Sequence, residues 1–480
     1  MVPVRVPTGH RRDSADASGR GRPGHTADAP ARPAAAKALR AASAPSDTIF
    51  APATAAGRAA VAILRVSGPE TGRAVSLLSG KLPPPRLARR AYLVDPATGE
   101  RLDDGLVLWF PAPHSATGED VAEFHVHSSR AVLAALMQVL RRLGLRLAEP
   151  GEFTRRAFLN GKLDFLQAEA IADLAAAETE AQRRQALRQL KGELGALYRG
   201  WSERLTRILA HLEAVIDFPD EELPSEIEDR ILGETELLTT EIERHLSDGH
   251  RGERLRDGIM VAIIGPPNAG KSTLLNRIAR RDAVITSPVA GTTRDIVEVA
   301  VDLEGYPVVL ADTAGLRDSD DVVEQEGLRR ALRRAEEAEI RLFVFDARCP
   351  DQVLSAAAWP GPDTILVANK IDLVAARGDP PNAALPISAL TGQGVDGLLA
   401  ALGQRVAQTY QIEAPVLTRA RHREALEDAA ASLQRSLSAP LPELRAEDLR
   451  LALRSFGRIT GMVDVEDLLD VIFRDFCIGK

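Results

Sequence analysis

"GPPNAGKST", Gly265 to Thr273, follows the apolar run "IMVAII", Ile259 to Ile264, and precedes a stretch with helical spacing. A strand that ends in a glycine-rich turn and feeds a helix is the setting in which G-x-x-x-x-G-K-[ST] builds a phosphate cradle. Gly265 and Gly270 let the backbone curl. The peptide N–H groups of Asn268, Ala269, Gly270, Lys271, Ser272 and Thr273 then turn toward bound phosphate. Lys271 reaches the β- and γ-phosphates, and the Ser272 hydroxyl ligates Mg²⁺. The bland alternative is a glycine-rich turn with no ligand, and the flanking strand and helix argue against it.

Four shorter motifs follow in order. "GTTRD" spans Gly291 to Asp295. "DTAG", Asp312 to Gly315, ends the strand-like "PVVLA", so Asp312 can hold a Mg²⁺ water while the Gly315 N–H meets the γ-phosphate. "NKID" contributes Asn369, Lys370 and Asp372 at the end of "TILVA". The Asp372 carboxylate can accept both N–H groups of a guanine edge, a pair adenine does not present. "SAL", with Ser388 and Ala389, ends "ALPI" and offers backbone contacts to the guanine oxygen. Each motif is weak alone. Together, ordered and at strand ends, they resemble the GTPase signature and imply GTP/GDP binding.

The pattern departs from small signalling GTPases at one place. After Gly315 stands Leu316, where a glutamine would orient the attacking water. The next loop offers Glu324 and Glu326, either of which could reach a water or simply favour a helix N-terminus. Asn268 could present an amide oxygen to a monovalent cation beside the phosphates, with the "SPVAG" stretch wrapping over it. Such an ion would offset charge developing in the transition state.

Around these motifs the sequence reads as a multidomain α/β and α+β protein. Residues 1–46, rich in Arg, Ala, Pro, Gly and Ser, read as a disordered extension. Residues 47–160 read as a small α+β N-terminal domain, and 161–250 as the first part of a helical domain. Residues 251–410 read as an inserted P-loop (Ras-like) α/β domain, and 411–480 as the second part of the split all-helical domain. The formal charge of −8 over 480 residues excludes bulk-charge coating of nucleic acid. Any RNA surface would have to be local, and "RRQALRQLK", Arg183 to Lys191, is a candidate that equally fits a solvated helix face. Two distant cysteines, Cys349 and Cys477, fit a reducing, cytoplasmic setting, and no run suits a membrane helix.

The outer segments carry a more specific resemblance. "DTIFAPAT", "AVAILRVSG", "TGEDVAEFHVH", "PGEFTRRAFLNGKLDFLQAEAIADL" and the terminal "FCIGK" surround the GTPase motifs. From Asp47 to Lys480 the chain resembles the tRNA modification GTPase family MnmE (TrmE). The resemblance implies an enzyme, a GTP hydrolase that forms a homodimer through N-terminal folate-binding domains. It implies a heterotetramer with the FAD-dependent partner MnmG. The two would act on tRNA, adding an aminomethyl or carboxymethylaminomethyl group at carbon 5 of the wobble uridine. The one-carbon donor would be a tetrahydrofolate derivative (5-formyl- or 5,10-methylene-tetrahydrofolate).

Carried over by motif, the resemblance names Glu324 as the hydrolytic glutamate and Arg65, Glu123, Lys162 and Lys480 as folate contacts. K⁺ would be held by Asn268, Ser287, Val289 and Thr292, and Thr293 would join Ser272 on Mg²⁺. Cys477 is a candidate functional thiol or a packed cysteine; its Ile-Gly-Lys ending is a poor prenylation signal. Val126-His127-Ser128-Ser129 and the residues around Gly57 depart from the family's glycine-rich pattern beside the expected folate pocket.

Overall fold

The structure, a computed structural model, describes residues 47–55, 57–217, 226–281, 298–312, 338–352, 363–374, 383–411, 415–461 and 479. The N-terminal sheet arises from alternating strands. In β2 (Val61–Ser67), Ala62, Leu64 and Val66 are buried, while Val61, Ile63 and Arg65 face the other way. With β1 (Ile49–Pro52), β3 (Arg89–Val94), β4 (Arg101–Phe110), β5 (Val121–His127) and β6 (Arg146–Leu147), it forms a six-stranded sheet of order β3-β4-β5-β2-β1-β6. All pairs are antiparallel except β1 with β6. Helices α1 (Thr71–Ser79) and α2 (Arg130–Arg142) cover the apolar face with Val75, Leu78, Leu136 and Leu140. Helix α3 (Glu152–Leu159) leads out of this unit.

Five helices follow among the described residues: α4 (Phe165–Ala176), α5 (Glu180–Leu190), α6 (Glu193–Asp217), α7 (Glu226–Leu246) and α8 (Arg251–Asp257). Asp164 and Thr179 start α4 and α5 with reciprocal capping boxes to Gln167 and Gln182. The chain then enters a second six-stranded sheet, order β12-β11-β10-β7-β9-β8. Its strands are β7 (Ile259–Ile264), β8 (Glu298–Leu303), β9 (Tyr306–Asp312), β10 (Ile340–Asp346), β11 (Thr364–Asn369) and β12 (Leu385–Pro386). Only β8 runs antiparallel to its neighbour. The strand β10, "IRLFVFD", is apolar almost throughout because both faces are covered. Leu342 and Val344 pack toward α9 (Lys271–Ala279) and α10 (Val395–Thr409), and Phe343 and Phe345 pack on the opposite side.

Helices α11 (Ala420–Ser438) and α12 (Pro442–Thr460) return to the earlier bundle. Leu426, Leu433, Leu449 and Phe456 share one core with Tyr198, Trp201 and Leu205 of α6 and Ile242 of α7. The helices before and after the inserted sheet therefore bury one another. Their polar seam centres on Glu169, fully buried, which meets Arg419 at 3.2 Å, Arg421 at 2.8 Å and His422 at 3.0 Å. Among the described residues no helix is long and apolar enough to cross a membrane.

In the inserted sheet the chain winds to one side of β7 through β9 and β8, and to the other through β10, β11 and β12. The carboxyl ends of β7, β9, β10 and β11 therefore flank a topological switch point, the place where open α/β sheets bind ligands.

Candidate active site

The turn after β7 has the shape that its glycines require. Gly265 has φ 137°, and a Cβ there would lie 2.0 Å from the Val344 carbonyl oxygen. Gly270 has φ 96°, and a Cβ there would lie 2.3 Å from Asn369 Nδ2. Both positions exclude any side chain. Gly270 precedes the first turn of α9, whose open N–H groups and dipole favour an anion. Lys271 is 6% exposed, and its Nζ donates to the carbonyls of Gly265 at 2.7 Å and Pro266 at 2.9 Å. Burial lowers its pKa, against the pull of Asp312 at the end of β9. Ser272 and Thr273 are exposed in the first turn of α9.

Asn369 joins this loop to the two motifs expected to read the base. Its Nδ2 donates to the Ala269 carbonyl at 2.7 Å, and its Oδ1 accepts from the Ala389 N–H at 2.9 Å. All three residues are buried. Lys370 follows in the left-handed region, φ 66°, and its Nζ donates to the Asn268 carbonyl at 2.6 Å. Asp372 is exposed in the short 3-10 turn Ile371–Leu373, available to a ligand. Ser388 is fully buried, and its Oγ accepts from the Thr391 N–H at 3.1 Å, which shapes the loop carrying Ala389. The residues expected to meet the phosphates and those expected to meet the base are thus assembled at adjoining strand ends.

Of the other expected site residues, Gly315, Glu324, Ser287, Val289, Thr292, Thr293, Cys477 and Lys480 lie outside the described residues, as do Leu316 and Glu326.

In the N-terminal sheet, the β2–β5 register sets Arg65 directly opposite Glu123. The guanidinium donates to Glu123 Oε1 from Nη2 at 2.9 Å and from Nε at 3.1 Å, and His125 Nε2 lies 3.3 Å from Glu123 Oε2. The two expected contacts therefore satisfy each other, and an incoming ligand must share or displace that pair. Lys162 stands on a different segment, with its Nζ donating to the Pro113 carbonyl at 3.1 Å. Gly479 reaches the same sheet. Gly479 is buried with φ 103°, and a Cβ there would lie 2.1 Å from the Pro52 carbonyl oxygen. Pro52 adjoins Ala51, the register partner of Arg65.

The non-glycine residues near this region have local roles. Val126 is core, Ser128 Oγ donates to the Gly57 carbonyl at 3.1 Å, and Ser129 caps α2 by accepting the Ala131 N–H.

Sequence reading passed over two groups. Arg156, 1% exposed, is ringed by Glu152, Asp47 and Glu119 at 2.9, 2.8 and 3.2 Å. Asp346, at the end of β10, binds both Arg348 and Lys370. Asp346 belongs to no quoted motif, and Arg156, though inside "PGEFTRRAFLNGKLD", was given no role of its own. The one sequence sign of Asp346 is an acid closing an otherwise apolar strand.

Comparison with known proteins adds a second line. Residues 48–162 match the family model "GTP-binding protein TrmE N-terminus", and residues 165–477 match "MnmE helical domain". The chain is 56% identical over 452 residues to "tRNA modification GTPase MnmE" of Rhodospirillum rubrum, covering 90% of this chain and 99% of that protein. It is 57% identical over 441 residues to the protein of the same name from Parvibaculum lavamentivorans, covering 90% of this chain and 100% of that one.

Proposed function

We propose a function from a plain premise: the chain belongs to the MnmE (TrmE) family of tRNA modification GTPases. It is a GTP hydrolase acting in tRNA modification, and its GTPase fold implies use of Mg²⁺. The observation that carries this reading is the Asn369 bridge, which ties the phosphate loop and the base-reading loop to one buried amide.

Each residue has a task that its chemistry supports. The N–H groups at the start of α9 hold the phosphates, and Lys271 exchanges its loop carbonyls for phosphate oxygens. The desolvated ammonium favours that anion strongly. Asp372 reads the guanine edge. Ser272 and Thr293 would hold Mg²⁺, an oxygen donor set suited to a hard cation that neutralises phosphate charge. Glu324 orients the attacking water, the role left open by Leu316. K⁺ would be held by Asn268, Ser287, Val289 and Thr292. The Asn268 carbonyl is taken by Lys370, so its exposed amide oxygen is the donor it can offer.

The wider reading concerns the modification itself. The N-terminal sheet takes a tetrahydrofolate derivative through Arg65, Glu123, Lys162 and Lys480. A guanidinium and lysines suit carboxylates, and Glu123 suits a pterin N–H edge. The arrival of Gly479 beside Pro52 supports a role for the adjoining tail. The chain acts as a homodimer with MnmG on the wobble uridine of tRNA. Hydrolysis measured at matched ionic strength tests the cation. It should be slow in Na⁺ and much faster in K⁺, and Asn268→Ala should lose most of that stimulation while still binding nucleotide. Equal rates in both salts would overturn the potassium assignment.

A further inference from the structure

The Lys370 ammonium is held at two points. Its backbone sits in the left-handed region at φ 66°, a conformation that costs a lysine free energy. Its side chain crosses to the phosphate loop and donates to the Asn268 carbonyl at 2.6 Å. The same Nζ donates to Asp346 Oδ2 at 3.0 Å. An ammonium has three donors, and two are engaged by these acceptors.

Asp346 is built for this contact. Strands β10 and β11 pair so that Asp346 stands directly across from Asn369, the residue before Lys370. Its side chain is 9% exposed. Arg348 grips both carboxylate oxygens, Nε to Oδ1 at 3.0 Å and Nη2 to Oδ2 at 2.7 Å, and its backbone N–H adds a third bond to Oδ1 at 3.0 Å. Such a fork fixes the carboxylate plane as well as its charge. The Arg348 bonds, with help from Lys370, hold the Asp346 carboxyl well below the usual carboxylate range, so the group is an anion at any working pH. Without that anion, two cations would face each other across the site.

We propose that Asp346 is a positioning residue for nucleotide binding: its carboxylate, oriented by Arg348, holds the Lys370 ammonium against the Asn268 carbonyl and so pre-forms the joint between phosphate loop and base site. The inference rests on the GTPase reading and adds a residue outside every signature motif. Pre-organisation of this kind acts on affinity and residence time, because a loosened lysine must be reordered at each binding event. It does not read the base edge, which belongs to Asp372.

Stopped-flow measurement of a fluorescent GDP analogue, on the full chain, tests this. Asp346→Ala should weaken GDP binding about tenfold or more, mostly through faster dissociation. Asp346→Asn retains an acceptor and the shape, and should fall between wild type and alanine. Arg348→Ala, at the exposed rim, should shift dissociation in the same direction. Inosine diphosphate should lose affinity by the same factor as GDP, whereas a change at Asp372 would alter the ratio. In hydrolysis, KM should rise while kcat at saturating GTP holds. A wild-type dissociation rate in folded Asp346→Ala and Asp346→Asn would overturn the proposal. So would a loss confined to kcat. Failure of wild-type protein to bind GDP at all would instead refute the GTPase reading beneath it.

Discussion

Replacing Asn369 by alanine removes one side chain and strands two backbone groups. The Ala269 carbonyl loses its donor at 2.7 Å, and the Ala389 N–H loses its acceptor at 2.9 Å. Ala269, Ala389 and Asn369 are 1%, 2% and 2% exposed, so water does not readily take over. An unsatisfied buried backbone group costs about 1–3 kcal/mol, and two of them cost roughly 2–6 kcal/mol. If the lower figure falls wholly on the nucleotide-competent conformation, GDP affinity drops about 30-fold. If it falls instead on the folded domain with or without nucleotide, about 2 kcal/mol lowers the melting point of a domain of this size by roughly 4–8 °C. Asn369→Asp is a useful companion. It keeps the acceptor for Ala389 but sets a carboxylate oxygen against the Ala269 carbonyl, so it should injure the phosphate side most. Titration with fluorescent GDP and a thermal melt, run on wild type and both variants, provide the readouts. An Asn369→Ala protein with wild-type melting point and GDP affinity would show that the bridge joins nothing that matters.

Other outcomes follow from single contacts. Gly265→Ala would drive a Cβ to 2.0 Å from the Val344 carbonyl oxygen, and nucleotide binding should be lost with the loop geometry, read by the same titration. Asp372→Asn should lower GTP affinity markedly and raise that for xanthosine nucleotide, since an amide matches the xanthine edge and mismatches guanine; unchanged GTP affinity would remove Asp372 from the base site. Gly479→Ala would push the tail off Pro52, and folate binding should weaken in a direct binding assay while GTP hydrolysis survives. The helical bundle should lose stability as pH falls below about 6.5, the ordinary histidine value. Burial holds the His422 pKa below that value, and its buried Nδ1 has no partner among the described residues, so the folded protein resists a proton that the unfolded chain accepts. A melting temperature flat from pH 7 to 5 would contradict this.

What could be read in advance has a common physical basis. Gly265, Gly270 and Lys271 are legible because a phosphate loop demands those residue types within a few positions, and "NKID" is legible at the end of an apolar run for the same reason. The groups that escaped reading act across long sequence distances. Asp346 gains its meaning only from the β10–β11 register, which brings it beside Asn369 and Lys370. Arg156 looks like an exposed helix residue in "TRRAF", yet it is buried against Glu119 and against Asp47, 109 residues away. Glu169 and His422 are 253 residues apart and meet in the seam of the split bundle. Burial charges such groups heavily for isolation, so each must find a counter-ion, but linear sequence does not say which. Arg65 and Glu123 were expected as two separate contacts, and their pairing with one another, set by the β2–β5 register, was not legible. The run from Arg183 to Lys191 covers most of α5 and its C-cap, and two of its arginines, Arg183 and Arg184, share Glu180.

GTP hydrolysis by this chain, as proposed above, drives tRNA modification. The direct measurement is nucleoside analysis of tRNA from cells that carry either wild-type protein or Glu324→Ala as their sole copy, with GTP binding verified for both. Wild type should give modified wobble uridine, and the variant its unmodified precursor. Full modification by a Glu324→Ala protein that no longer hydrolyses GTP would contradict this, and would leave the GTPase domain as a switch that need not turn over.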